Sequence, residues 1–157
     1  MKKETASVAF ARAIERAEHL QLRPGLSALK PAEGKGRVHK GERALLGSVV
    51  MDDDCRTAFP TDPRWDYVIG VDHDTVAHFV EVHSAETSAV SKMEQKLRWL
   101  MDYLARPAQT ELAKLPRAFH WVASGRVNIP QNTPQYRRLK TGILRQLRGP
   151  VERLDLP

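Results

Sequence analysis

The sequence predicts a single α/β domain with a mixed central sheet flanked by helices. Two short runs, RWDYVIGV at 64–71 and VAHFVEVH at 76–83, are rich in β-branched and aromatic residues, and only DHDT separates them. That is the pattern of an antiparallel hairpin. The second run leads into an amphipathic stretch and then a further apolar run, RAFHWVAS at 117–124. A strand–helix–strand unit of this length implies a parallel pair joined by a right-handed crossover. At 157 residues, the chain is long enough for one domain with a core of its own, so 1–157 is read as one unit.

The elements follow in order. Val8, Ala11, Ile14, Ala17 and Leu20 recur at three- and four-residue spacing and predict a helix over 4–20, capped by Thr5 or Ser7. Residues 23–42, rich in Gly, Pro and Lys, read as a long flexible loop. RALLGSVVM at 43–51 reads as the first strand, and DDDCRTAFPTDP as a loop with a turn at Asp62-Pro63. After the hairpin, Ser84 or Thr87 caps a helix that carries Glu86 near its positive end and stops before Pro107. Its apolar stripe is Val90, Met93, Leu97, Leu100, Met101 and Leu104. Gly125 ends the strand at 117–124, and Thr133 with Pro134 opens a last helix to about Leu147. VERLDLP offers a final short strand. Trp65, Trp99 and Trp121 are expected in the core.

Composition narrows the function classes. The single cysteine, Cys55, excludes an internal disulfide framework and a multi-cysteine zinc site. The N-terminal stretch lacks the apolar core of a signal peptide, and no run approaches the ~20 apolar residues of a membrane helix. A cytoplasmic location and no membrane partner are therefore expected. No G-x-S-x-G, Walker-type or dinucleotide glycine pattern occurs. The net charge of +6 is unevenly spread. Eleven acids face five Lys/Arg between Met51 and Asp102, whereas nine Lys/Arg face one acid, Glu111, between Arg106 and Arg148. Either a polyanion is held beside a carboxylate cluster, or the basic third is a solvated surface.

The residues with the most chemistry are in the hairpin. Alternation puts Glu81 and His83 on one strand face with Ala77 and Phe79, near the strand's C-terminal end, where open α/β sheets commonly hold sites. Symmetric pairing about the turn sets Asp66 opposite Glu81. Facing carboxylates repel unless a cation lies between them, and Mg²⁺ takes hard carboxylate oxygens together with water and phosphate. Asp52, Asp53 and Asp54 are consecutive and must diverge, which leaves Asp52 as a reserve metal ligand. Asp72, His73 and Asp74 have no metal-site spacing and read as a turn.

An α–β–β–β–α–β order, with an Asp on one central strand and Glu-x-basic on its hairpin neighbour, resembles the PD-(D/E)XK nuclease superfamily over residues 4–124. The resemblance implies a restriction-endonuclease-like αβββαβ core and a metal-dependent nuclease acting on phosphodiester bonds of DNA or RNA. It implies Asp66 and Glu81 as ligands of Mg²⁺ or Mn²⁺, with His83 where the family has a lysine that orients or activates water. Some members add a glutamate from the first helix; Glu15 and Glu18 are the candidates here. A histidine, with an ordinary pKa near ~6.5, is mostly neutral where a lysine is charged. His83 is then a general base or a ligand for Mn²⁺, or the cationic role has moved to Lys92 or Lys96 on the following helix. The remaining alternative is a degraded site on a fold that serves as a nucleic-acid or protein interaction module. Arg126, Arg137, Arg138, Lys140 and Arg145 are the expected phosphate contacts. Nucleic acid is the expected partner, and a homodimer stays open.

Overall fold

The computed structural model describes residues 5–31 and 36–157. The first residue of the expected N-terminal helix and part of the expected 23–42 loop lie outside them. The helices are α1 (Ala6–Arg16), α2 (Met51–Asp54), α3 (Val90–Leu104), α4 (Thr110–Lys114) and α5 (Pro134–Arg138). The strands are β1 (Val38–His39), β2 (Leu45–Val50), β3 (Tyr67–Val71), β4 (Ala77–His83), β5 (Arg117–Ala123), β6 (Leu147–Val151) and β7 (Leu154–Asp155).

Five strands form one mixed sheet in the order β2-β3-β4-β5-β6. The first three are antiparallel neighbours, and β5 and β6 run parallel to β4. The hairpin is therefore present, and α3 and α4 lie in the connection that makes β4 and β5 parallel. Strand alternation sends the sheet's side chains into two cores. On the front, Val68, Phe79, Phe119 and Trp121 pack with Phe10 and Ile14 of α1 and Met93, Leu97 and Leu100 of α3. On the back, Tyr67, Ile69, Val80, Val82 and Val122 lie under Ala28, Leu29, Val38 and Leu156.

Several sequence expectations change in detail. Helix α1 ends at Arg16 and buries Phe10, Ala13 and Ile14, while Val8 and Ala11 are exposed. Its inward face is thus rotated from the expected stripe. Asp52, Asp53 and Asp54 stand in the one-turn helix α2 and not in a loop. A 3-10 turn at Thr87–Ala89 precedes α3, and Trp99 and Tyr103 join its buried stripe. Pro107 opens a second 3-10 turn that leads into α4, two elements the sequence did not announce.

The last expected helix, 134–147, is divided. After α5, Gly142 takes φ +57°, a 3-10 turn covers Gly142–Gln146, and Leu147 starts β6. The described part of 23–42 packs against the back. Arg23 bridges Ser48, Ser48 Oγ accepts the Ala28 N–H at 3.1 Å, and Tyr67 Oη accepts the Lys30 N–H at 3.2 Å. β1 pairs in parallel with β7, bringing Val38 against Leu154. No helix among the described residues is long and apolar enough to cross a membrane.

Candidate active site

The β3–β4 register pairs Tyr67 with Val80 and Gly70 with Ala77, so one step further places Asp66 opposite Glu81. Asp66 immediately precedes β3. Its carbonyl accepts the Met51 N–H at 2.8 Å, which fixes it against the start of α2. The two acids hold each other through the backbone. The Asp66 N–H donates to Glu81 Oε2 at 2.9 Å, and the Val82 N–H donates to Asp66 Oδ2 at 3.0 Å. Both side chains are on the front face, beneath α3.

The cation between them is Lys96. It projects from α3, and its Nζ donates to Glu81 Oε1 and lies 3.8 Å from Asp66 Oδ1. Glu81 is fully buried and the Lys96 side chain is only 14% exposed. Lys92, one turn earlier, is exposed. The i, i+4 pair thus resolves into one residue that reaches the sheet and one that does not.

Burial drives the electrostatics. It pushes the Glu81 carboxyl well above the ordinary carboxylate range, and repulsion from Asp66 adds to this; Lys96 and the Asp66 amide oppose it. For Lys96, burial favours the neutral amine, but Glu81, Asp66 and Asp52 together outweigh it and hold the ammonium above its usual pKa. The lysine is therefore the fixed charge of the cluster.

His83 ends β4 on the same face. Its Nδ1 lies 3.1 Å from the Ser84 carbonyl and 3.3 Å from Ser84 Oγ. Partial burial lowers its pKa, and the nearby Lys96 and Lys92 push the same way against the Ser84 carbonyl. Both effects favour the neutral imidazole at the strand end. Asp52 is close enough to bias Lys96, while its carboxylate accepts from Arg64 Nε at 2.9 Å. Asp53 and Asp54 turn elsewhere, to Arg56 and Arg23 at 2.8 Å each. Glu15 and Glu18 are both exposed. Glu15 stands on the outer face of α1, and Glu18 lies beyond its end, within 3.9 Å of His19.

The basic residues divide as well. Arg126, Arg137, Lys140 and Arg145 are exposed, whereas Arg138 pairs with Glu94 of α3 at 2.9 Å. Lys140 Nζ sits 5.2 Å from the centre of the Tyr136 ring. All three tryptophans are in the core.

A second polar cluster on the back face was not anticipated. His78 of β4 and His120 of β5 are buried with stacked rings, and His78 Nδ1 lies 3.1 Å from His120 Nε2. His78 Nε2 lies 2.7 Å from Asp74 Oδ2, so the residue read as part of a turn orients a buried imidazole. Among the described residues, no group of three or more His, Cys, Asp or Glu gathers as a metal cage.

The chain matches no family model, no curated protein and no solved structure. The functional reading therefore rests on the geometry of Asp66, Glu81 and Lys96.

Proposed function

We propose that this chain is a metal-dependent, nuclease-like hydrolase of phosphodiester bonds in DNA or RNA, with a restriction-endonuclease-like core. Asp66 and Glu81 are its paired carboxylates, and Lys96 rather than His83 is its cation. The observation that carries the reading is the convergence of these three side chains at one end of the β3–β4 hairpin. The element order supports it: α1, three antiparallel strands, a helical connection and a parallel strand, with the Asp before one central strand and the Glu on the next.

Two adjacent carboxylates, one of them sealed from solvent, are a hard-oxygen donor set. They fit Mg²⁺ or Mn²⁺, which bind through one or two carboxylates and complete their shell with water and substrate phosphate. Asp66 and Glu81 would hold the ion, which supplies an activated water and neutralises charge on the phosphodiester. The chain's own groups do the positioning. The Asp66 and Val82 amides orient the two carboxylates. Lys96, kept charged by its neighbours, is the donor available to a water or a phosphate oxygen. The exposed arginines of the C-terminal third hold the backbone without reading sequence.

One observation favours a second reading. Lys96 already neutralises Glu81, so the same fold can serve as a nucleic-acid or protein interaction module without catalysis.

The test is cleavage of labelled DNA and RNA with Mg²⁺ or Mn²⁺. Asp66→Asn and Glu81→Gln are expected to abolish cleavage while circular dichroism stays native. Cleavage that survives both substitutions rejects the site. Salt-sensitive binding without cleavage supports the second reading.

A further inference from the structure

Beside α5 the surface opens into a cavity of about 390 Å³, lined by Val127, Ile129, Tyr136, Leu139, Lys140 and Leu147 among others. Its size is that of a small-ligand cleft, and its wall is an apolar bed with one aromatic ring and one cation. Two of the large apolar side chains most exposed among the described residues are here: Val127, 39% exposed, on the wall, and Val151, 38% exposed, beside it. No acid interrupts residues 126–148, which carry six Lys/Arg.

The elements around the cavity are tied to those that carry the carboxylate–lysine cluster. In register, Ala123 of β5 lies beside His83 of β4, and Val151 of β6 beside Val122. The Asn128 N–H donates to the Ala85 carbonyl at 2.7 Å, which ties the cavity's loop to the segment after β4. Arg138 ties α5 to α3, the helix that carries Lys96.

We infer that this cavity receives an unstacked base of a single-stranded nucleic acid, with Lys140 and the neighbouring arginines on the flanking phosphates. The inference rests on the nucleic-acid reading above and adds the form of the polymer. Bases in a duplex hide their faces in the stack, so an apolar recess with a ring takes a base only from an unpaired strand. The charge favours a nucleic acid over an apolar peptide: Lys140 is on the wall, and Arg137 and Arg145 of the same segment are exposed.

Fluorescence anisotropy without divalent metal, so that nothing is cut, tests this on the full chain. The probes are short fluorescein-labelled oligothymidylate and oligouridylate, and a duplex of equal length. Both single strands, or one of them, should bind more tightly than the duplex. Tyr136→Ala should weaken single-strand binding about tenfold, with Tyr136→Phe close to wild type. Val127→Asp, an exposed change that leaves the core intact, should weaken it as well. Single-strand binding that ignores Tyr136→Ala and Val127→Asp, or equal binding of duplex, overturns the cavity's role while leaving a nucleic-acid partner standing. No binding to any of the three probes overturns both. Self-association by light scattering that Val127→Asp abolishes assigns the cavity to a second copy of the chain and overturns the inference.

Discussion

Lys96 holds together two acids that would otherwise repel, one of them, Glu81, sealed from water. Removing one partner of a buried pair leaves an uncompensated charge, which typically costs about 3–5 kcal/mol. Lys96→Met is expected to lower urea stability by that order. Adding Glu81→Gln should recover much of the loss, because the buried charge is then gone. In the cleavage assay Lys96→Met should abolish activity, while His83→Ala retains measurable activity. The reverse result would return the cationic role to His83. Asp66 and Glu81 were legible in the sequence because strand alternation and a short turn leave almost no freedom in register. Lys96 was legible only as one of two, since i, i+4 spacing gives a shared face but not which residue reaches the sheet. The Asp74–His78–His120 chain was not legible at all. It depends on the register of the parallel β4–β5 pair, which the spacing does not give: His120 lies beside Val80, two residues from His78 along β4.

Among the elements, the junction of α1 with β3 is a close fit. A Cβ on Gly70 would collide with the ring of Phe10, so the glycine lets the helix sit directly on the strand. Gly70→Val is expected to cost ~1–3 kcal/mol through overpacking. Phe10→Ala in the same chain should give back part of the melting temperature lost by Gly70→Val alone. The helix phase was misread from sequence because Ala counts equally toward either stripe, and Phe10 decides the face only once β3 presents a gap. The division of 134–147 falls after Arg138, where α5 ends: Thr141 is extended, and Gly142, with a φ of +57° that suits a glycine, reopens the chain as a 3-10 turn. Leu147 then belongs to the sheet. Its hydrophobic spacing fits both a helix and a buried strand, and only the open edge of β5 selects the strand.

At the scale of the whole molecule, one pH dependence comes from the back face. Burial, together with His78 and Arg148, depresses the His120 pKa to about 4 from an ordinary 6.5. The unfolded chain therefore takes up a proton that the folded chain refuses, and stability falls as pH drops from 6.5 toward 4. The loss attributable to this group is roughly 3 kcal/mol across the window. Asp74 continues the trend below that window: although its burial acts the other way, hydrogen bonds from His78 and the Val76 amide lower its pKa from the ordinary 3.8, so its contribution is lost only as pH falls below 3.8. His120→Gln should flatten urea midpoints measured across that window. The cover over this face joins Val38 to Leu154, segments from opposite halves of the chain. Such a pairing gains its contacts only after most of the chain has been ordered, so it closes late in folding and opens early. The Leu154 and Leu156 amides, which donate to the Arg37 and His39 carbonyls, are expected to exchange hydrogen faster than those of β3. Each such opening uncovers part of the back core that holds Ile69, Val80, Val82 and Val122. Aggregation would then begin at the back of the sheet, in molecules whose front cluster is still assembled.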